Sequence, residues 1–400
     1  MRNPRILVSG AGIAGETLAY WLARYGFRPT IVERAAAPRP GGQGVDVREQ
    51  AIEVVERMGL LPRVRAAATD VLGMRFVGAD GRRRAEVNIQ RIQERIGSGE
   101  VEIMRGDLVR LLHENNSGTV EYLFGESIRT LAQDEDGVTV GFDRAGQRRF
   151  DLVVGADGLH SAVRRCAFGP EQRFVRHLDH YFAFATADSG LGPDRWITVY
   201  NTPGAMAGVY RSGNHPEAKA YLAFRSPRMD FDPRDLDAAR RALTARFGGS
   251  RAWHVARLLA GALADDDLYF DALAQVHMPA WSDGRVALTG DAAHCASPVS
   301  GGGAELALTG AYRLADALAA ADGDHRQAFA HYEREHRPAV ARRQQVGPNV
   351  RLLMPRTRLG ITLRNIVTRL PVLESLAGME RIMAPRDTAP LATARTGTTP

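Results

Sequence analysis

Residues 5–34 read RILVSGAGIAGETLAYWLARYGFRPTIVER, and this stretch carries the strongest structural signal in the chain. The apolar run at residues 5–9 is typical of a short strand, and the residues after the glycines follow a helical pattern. A second apolar run then ends in Glu33 and Arg34. The order of strand, glycine-rich turn, helix, strand and acid predicts a βαβ unit that binds a dinucleotide.

Each position in this turn has a mechanical reason. Gly10 permits the tight turn, Gly12 lets the backbone approach a pyrophosphate, and Gly15 allows the helix to pack closely on the sheet. Ala14 lies in the same turn, at the helix N-terminus that faces the phosphate charge. Glu33, at the tip of the second strand, can accept hydrogen bonds from an adenosine ribose.

Two later strand-like runs also end in small-residue turns that contain an acid. Residues 150–158 read FDLVVGADG, and residues 284–294 read GRVALTGDAAH. A parallel α/β sheet delivers loops to a ligand in this form. The pattern therefore places Asp157, Gly158 and Asp291 at a ligand site, although each aspartate alone could equally be a helix cap.

The composition excludes several classes of protein. The 400 residues are 44% hydrophobic and 24% charged, which is typical of a globular chain rather than a disordered one. No apolar run approaches the length of a membrane span, and the polar N-terminus lacks a signal-peptide core, so we expect a cytosolic protein. The net charge is +6, but the 52 basic residues are spread among 46 acids, which does not favour a nucleic-acid partner.

Metal sites and disulfides are not predicted. Cys166 and Cys295 are too few for a disulfide framework or a structural zinc site, and we expect both to be buried thiols. His177 and His180 have a spacing that metal ligands can have, but no further ligands accompany them. Surface or loop histidines are the simpler interpretation.

Together, the three glycine–acid turns resemble the FAD-dependent group A aromatic monooxygenases, the family of para-hydroxybenzoate hydroxylase and the tetracycline-inactivating monooxygenases. The resemblance covers residues 5–345 and is carried by the order and spacing of the motifs. It implies an α/β fold, with a Rossmann-like FAD-binding domain, a mostly antiparallel β substrate domain and C-terminal helices. The expected segments are 1–173 and 277–383 for the FAD-binding domain and C-terminal helices, 174–276 for the substrate domain, and 384–400 for a disordered tail.

The resemblance also implies which residues bind FAD. They are Gly10, Gly12, Ala14, Gly15, Glu33, Arg34, Asp46, Arg105, Asp157, Gly158, Asp291, Pro298, Gly301, Gly302, Gly303 and Ala304. Asp46 would pass close to the flavin ring, and Arg105 would contact FAD from the start of a helix. Asp157 would serve both FAD and the nicotinamide cofactor, and Asp291 the ribityl or pyrophosphate part. Residues 298–304 would form the loop and helix start beneath the flavin pyrimidine.

The chain departs from the family pattern in this last helix. Glu305 stands where the family usually has asparagine, and Gly310 where it has aspartate. An acid near the reduced flavin would oppose reduction unless it points away or is protonated. The alternative is that Glu305 is an ordinary first-turn residue pointing to solvent. His294 could be catalytic, but the matching family histidine is mainly structural.

The resemblance implies a single-component monooxygenase. NADPH or NADH would reduce bound FAD, and O2 would form a flavin C4a-hydroperoxide that hydroxylates an aromatic or polyketide-like small molecule. This chemistry requires no dedicated acid or base, so no catalytic residue is assigned. Aromatic residues of the middle domain are expected either to pack in its core or to line the substrate pocket: Tyr181, Trp196, Tyr210 and Phe224.

Two alternatives remain at the level of the sequence. One is another flavoenzyme of the same fold, a halogenase or a reductase, although the W-x-W-x-I-P signature of the halogenases is absent around Trp196. The other is a non-catalytic protein that binds flavin or a drug. The substrate, the choice between NADH and NADPH and the oligomeric state are not predicted.

Overall fold

The computed structural model describes residues 4–38, 41–96, 99–230, 232, 235–345, 350, 352–369 and 391. The strands, in chain order, are β1 (Arg5–Ser9), β2 (Arg28–Glu33), β3 (Gly44–Val47), β4 (Gly73–Val77), β5 (Arg83–Asn88), β6 (Val101–Met104), β7 (Glu121–Phe124), β8 (Ile128–Gln133), β9 (Val138–Phe142), β10 (Gln147–Phe150), β11 (Leu152–Gly155), β12 (Val175–Ala187), β13 (Trp196–Thr202), β14 (Ala205–Tyr210), β15 (Ala218–Arg225), β16 (Tyr269–Val276), β17 (Ser282–Asp283) and β18 (Val286–Leu288). The helices, in chain order, are α1 (Ile13–Arg24), α2 (Gln50–Arg57), α3 (Leu61–Ala66), α4 (Ile89–Ile96), α5 (Arg105–Asn115), α6 (Ala162–Ala167), α7 (Leu236–Phe247), α8 (Val255–Ala264), α9 (Asp291–His294), α10 (Gly303–Ala320), α11 (His325–Arg343) and α12 (Arg358–Val367).

A six-stranded sheet contains the strands that precede the three glycine–acid turns. Its strand order is β17-β18-β11-β1-β2-β7, and every neighbouring pair is parallel except β17 with β18. Ile6, Leu7 and Val8 on the central strand β1 are fully buried, as expected inside a parallel sheet. Because β1, β11 and β18 are parallel, their carboxyl ends meet at one edge. The three glycine–acid turns therefore come together.

A seven-stranded sheet forms the second layer, in the order β16-β12-β15-β14-β13-β4-β5. Its pairs are antiparallel except for the parallel pair of β13 with β4. Strands β4 and β5 come from residues 73–88, within the segment 1–173 that was predicted to belong to the other domain. The α/β class is confirmed and both sheets are mixed, but the segments do not coincide with the sheets.

Long helices close the molecule on the side of the first sheet. Helix α10 packs against α1 and α11, and the ring of Tyr312 meets that of Trp21 edge to face at 4.8 Å. The apolar residues along α10 are buried because neighbouring helices cover most of its circumference. Among the described residues, no helix is long and apolar enough to cross a bilayer.

Two further expectations can be compared with the structure. Cys295 is buried as predicted, but Cys166 is exposed because its side of the short helix α6 faces outwards. The expected disordered tail, 384–400, lies outside the described residues apart from Leu391. That residue is buried, and its carbonyl oxygen accepts a hydrogen bond from Arg57 at 3.5 Å.

Candidate functional site

The glycines of the first turn meet different surroundings. Gly10 has a φ of +103°, and a Cβ there would lie 2.6 Å from the carbonyl oxygen of Ala156. A Cβ on Gly15 would overlap with the carbonyl oxygen of Gly10. Gly12 faces a more open space, where a Cβ would approach Nη2 of Arg105 to 3.9 Å. Gly10 and Gly15 therefore close the turn, whereas Gly12 leaves room for a ligand beside a cation.

The end of β2 presents the carboxylate of Glu33 to the same turn. Its two oxygens accept hydrogen bonds from the N–H groups of Ala11 and Ala35, both at 2.9 Å. Each oxygen keeps a lone pair that a ligand hydroxyl can use. Arg34 is exposed beside it, and Ala14 is buried against Gly290 of the third turn.

Asp157 makes its hydrogen bonds within the protein. One carboxylate oxygen accepts from the N–H groups of Ala162 at 2.9 Å and Val163 at 3.2 Å, at the start of α6, and from the hydroxyl of Ser9 at 3.2 Å. The other oxygen accepts from Ser161. Asp157 therefore links β1 to the start of α6 in the manner of a helix cap. The neighbouring Gly158 has a φ of +79°, and a Cβ there would meet nothing within 4 Å.

Asp291 lies in a different environment. It begins α9 and is exposed towards the open side of the site. The surrounding protein limits its hydration and raises the pKa of its carboxyl, against the opposing effects of the Cys295 thiol and the Arg105 charge. The ring of Tyr269 is 45% exposed close by, and its hydroxyl donates to Asp271 at 3.1 Å. An acid, a cation and an aromatic ring thus line one wall of the site.

Arg48 connects two loops that the resemblance places at the flavin. Its Nη2 donates to the carboxylate of Asp46, near the end of the glycine-rich segment 41–47 (the glycine loop), and to the carbonyl oxygen of Gly301. The side chain is buried, and its Nε–H has no hydrogen-bond partner among the described residues. A buried donor without a partner is costly, so an acceptor from a ligand would stabilise it.

The loop at residues 298–304 presents the N-terminus of α10 to the site. Gly301 adopts a left-handed conformation with a φ of +62°, and a Cβ on Gly303 would meet nothing within 4 Å. Pro298 is exposed and Ala304 is buried. Ser297, just before this loop, has a φ of +78° and a buried hydroxyl without a hydrogen-bond partner among the described residues.

The two departures from the family pattern have distinct surroundings. Glu305 is buried and paired with Arg343, so the solvent-facing interpretation is wrong. Gly310 leaves space for a histidine, because a Cβ there would lie 2.8 Å from Nε2 of His336. Burial lowers the pKa of His336 well below its usual value.

The aromatic candidates of the middle domain fall on both faces of the seven-stranded sheet. Tyr181 and Phe224 pack in the core between this sheet and helices α7 and α8. Trp196 is buried beneath the guanidinium of Arg75, which lies 3.9 Å from its ring centroid. Tyr210 lies on the other face, and its hydroxyl donates to Glu102 at 3.2 Å. Of the four, only Tyr210 points to the side on which Tyr269 lies.

The histidines show no metal-binding arrangement. Burial lowers the pKa of His294 to about 3, and its ring packs on Trp281 and lies 3.3 Å from the Tyr332 hydroxyl. This environment is that of a packed core histidine. Within the described part of the chain, no group of His, Cys, Asp and Glu could hold a metal ion, and that part includes His177 and His180.

Sequence reasoning missed four residues of the site. Arg48 stands two residues after Asp46, so its position in the motif could have drawn attention to it. Tyr269 and Asp271 lie two residues apart on the same face of one strand, but nothing local distinguishes them from other strand residues. Arg343 lies 38 residues beyond its partner Glu305 and carries no motif at all.

Comparison with known proteins identifies the family. Residues 4–345 match the family described as FAD binding domain. The chain is 45% identical over 340 residues to an uncharacterised protein of Mycobacterium tuberculosis, covering 85% of this chain and 91% of that protein. It is 37% identical over 347 residues to a flavin-dependent monooxygenase of Legionella longbeachae, covering 86% and 88%.

A solved structure extends this likeness over almost the whole chain. The tetracycline destructase Tet(51) matches with a TM-score of 0.82 at 31% identity, covering 98% of this chain and all of that one. The family predicted from the three glycine–acid turns is thereby confirmed. The chain belongs to the FAD-dependent group A aromatic monooxygenases.

Proposed function

We propose that this monooxygenase uses NADPH or NADH and O2 to hydroxylate an aromatic or polyketide-like small molecule. The observation that carries the proposal is the shared edge of β1, β11 and β18, where the three glycine–acid turns come together. Arg105 comes close to Gly12 at this edge and acts electrostatically on Asp291, and a Cβ on Gly158 or Gly303 would meet nothing within 4 Å.

The residues at this edge suit the ADP half of FAD. Glu33 offers lone pairs to the adenosine ribose, and the exposed Arg34 lies beside it. The open backbone at Gly12 and the charge of Arg105 would receive the pyrophosphate. Asp291 would accept a hydrogen bond from a ribityl hydroxyl.

The flavin end fits the loop around α10. The N-terminus of α10 carries partial positive charge, which stabilises the electron-rich pyrimidine side of a reduced flavin. The Arg48 Nε–H and the Ser297 hydroxyl, which have no hydrogen-bond partner in the described part of the chain, are polar groups that a cofactor could satisfy. Asp46, held by Arg48, fixes the glycine loop at the same place.

Bound FAD would supply the redox chemistry, accepting a hydride from the nicotinamide cofactor and delivering electrons to O2. The protein would hold the substrate and exclude water. Aromatic side chains on the flavin side of the seven-stranded sheet favour an electron-rich, planar substrate: Phe182, Phe184, Tyr210, Tyr221 and Tyr269. The oxygen-transfer route that the resemblance implies stays a prediction.

The nicotinamide cofactor would bind only transiently. The dinucleotide fingerprint G-x-G-x-x-G is complete at residues 10–15, and this copy is taken by the ADP half of FAD. The turn at Asp157 and Gly158 is the candidate for a second, weaker contact. A cytosolic location likewise stays a prediction.

The identity of the cofactor provides the first test. The purified protein is expected to be yellow, and denaturation should release FAD rather than FMN, because Glu33 is useful only to a ligand with an adenosine ribose. Released flavin is identified by chromatography against both standards. A colourless protein that does not take up added FAD would contradict the proposal.

The reaction provides the second test. Phenolic and polyketide-like compounds, tetracyclines included, are incubated with the holoenzyme, NADPH or NADH, and isotopically labelled O2. A substrate is expected to gain one labelled oxygen atom, as measured by mass spectrometry, and to accelerate NAD(P)H consumption. Halogenated or reduced products, or binding without turnover, would favour the alternatives instead.

A further inference from the structure

The carboxylate of Glu305 has a partner from a distant part of the chain. Glu305 lies in the first turn of α10 and is only 5% exposed. Its Oε2 accepts a hydrogen bond from Nη2 of Arg343, the last residue of α11, at 2.6 Å. The same nitrogen donates to Oε1 of Glu49, in the turn before α2, at 2.9 Å. The guanidinium of Arg343 therefore links α11 to α10 and to the turn before α2, beside the loop at residues 298–304.

The three glycines of this loop, at residues 301–303, have different neighbours. Two of them face arginine side chains and the third faces open space. A Cβ on Gly301 would lie 2.8 Å from Nη2 of Arg48. A Cβ on Gly302 would lie 2.7 Å from Cδ of Arg343, so this glycine lets the arginine stem cross the loop. A Cβ on Gly303 would meet nothing within 4 Å. Only the third glycine is left for a cofactor.

The charges facing Glu305 are those of Arg343, Glu49 and Arg48. Burial raises the pKa of Glu305 and Glu49 adds to this, whereas both arginines oppose it. Arg48 already pairs with Asp46. Arg343 is therefore the cation hydrogen-bonded to the Glu305 carboxylate, and it is shared with Glu49.

We propose that Arg343 is a positioning residue that neutralises Glu305, so that an ion pair rather than a lone carboxylate stands beside the flavin site. The proposal rests on the proposed FAD site at the N-terminus of α10. It explains how this chain tolerates an acid where the family has asparagine.

The physical reason is that a negatively charged reduced flavin and a nearby carboxylate would both interact with the positive N-terminus of α10 and would repel each other. Reduced flavin carries negative charge at N1 and its C2 carbonyl, and the α10 dipole favours that charge. A lone carboxylate nearby would oppose it through a low-dielectric environment. The Arg343 charge offsets one of the two neighbouring carboxylates, Glu305 and Glu49, so the field of the three groups at a distance is weaker than that of the carboxylates alone.

The test is the midpoint potential of the flavin in purified holoenzyme variants. Arg343→Gln should disfavour flavin reduction about tenfold, or about 30 mV for a two-electron couple, because it leaves Glu305 unpaired. Glu305→Gln should favour reduction by a similar factor, because it removes one of the two carboxylates that share Arg343. The double variant should return close to wild type. Arg334→Gln removes an exposed charge from the same helix and serves as the control.

The possible outcomes distinguish failure of this proposal from failure of the proposed FAD site on which it rests. Failure of wild-type protein to bind FAD would overturn the proposed function itself. With FAD bound, single variants that leave the potential unchanged, or shift it in the same direction, would overturn the ion-pair proposal and leave Arg343 as a structural link. If Arg343→Gln does not fold, Arg343→Lys should retain the wild-type potential, and Glu305→Gln alone still decides by the sign of its shift.

Discussion

Two aspartates in similar turns meet opposite surroundings. Asp157 receives hydrogen bonds from two backbone N–H groups and two serine hydroxyls, all of them within the protein. Asp291 instead points to the open side of the site, near Arg105. A half-buried acid whose hydrogen bonds are all made within the protein contributes mainly to the folded state, whereas an acid facing a cleft is available to a ligand. Substitution of Asp157 is therefore expected to lower stability, whereas substitution of Asp291 is expected to weaken ligand binding.

Asp291→Ala should weaken FAD binding by about 10- to 150-fold, since losing one partner of a charged hydrogen bond costs about 1.5–3 kcal/mol. The apoprotein should keep most of its free energy of unfolding. Titration of apoprotein with FAD and urea denaturation measure the two quantities. Asp157→Ala is the matched variant, and it should lower the free energy of unfolding by about 1–3 kcal/mol because several buried donors lose their acceptor. Equal effects of both variants on stability would refute this distinction.

His160 predicts a pH dependence of stability. Burial disfavours its charged form, but hydrogen bonds with Asp271 and Glu171, all near 3.1 Å, outweigh burial and raise its pKa to about 9. A raised pKa in the folded state means that the stabilisation is complete below about pH 6.5 and is lost as pH rises through 9. The wild-type protein should have a larger free energy of unfolding than His160→Gln at low pH. This difference should shrink by at most about 3 kcal/mol as the pH rises from about 6.5 to 9. Urea denaturation at a series of pH values measures it, and a constant difference would contradict the assignment.

At the scale of elements, side chains alternate across the seven-stranded sheet. Tyr181, Ala183 and Ala185 of β12 pack in the core with helices α7 and α8, whereas Phe184 meets Tyr221 on the opposite face, with ring centroids 4.7 Å apart. This is the period of two that a strand imposes. Aromatic residues close in sequence therefore serve either the core or the candidate substrate side.

Two phenylalanines on opposite faces test this division. Phe224→Ala should lower the free energy of unfolding by about 3–5 kcal/mol, because Phe224 is buried against Tyr181 and Phe247. Phe184→Ala, at a partly exposed position, should cost less stability but raise the KM for a substrate found in the compound screen. Thermal denaturation and steady-state kinetics measure the two effects. A larger effect of Phe224→Ala on KM would place the substrate on the other face.

At the scale of the whole molecule, the site joins parts of the chain that lie far apart in sequence. The loop after β14 contacts the segment just before β4, where Ser212 and the Gly213 N–H donate to Asp70. The glycine loop, α5 and α10 then surround the same open edge. A ligand that contacts all of them can stabilise the assembled state only if it binds the native protein.

Removal of FAD should therefore lower the melting temperature of the whole chain. At FAD concentrations about a hundredfold above the Kd, binding contributes about 2.7 kcal/mol, which corresponds to a few degrees for a protein of this size. Differential scanning fluorimetry of apoprotein with added FAD measures the recovery. FMN lacks the adenosine half and should restore less. Equal recovery with FMN would argue against a role for Glu33 and Arg34.

Short-range sequence patterns were enough to predict the βαβ unit, the three glycine–acid turns and the family. Glycine positions, strand runs and the acid at residue 33 are local features, and parallel strands necessarily bring their turns to one edge. The helix start expected within residues 298–304 likewise agrees with α10, which begins at Gly303. The physical causes of these features lie within a few residues of each one along the chain.

Other features depend on which distant residues meet, and only the folded chain settles them. Strands β4 and β5 join a sheet made mostly of later residues, and the inward or outward direction of Tyr181 and Phe184 follows from strand register. The partner of Glu305 is the clearest case. Arg343 reaches it from another helix, and no pattern around residue 305 could indicate whether its charge would be solvated, exposed to flavin or compensated. Long-range ion pairing and burial decide that question, because they exist only after the helices have packed.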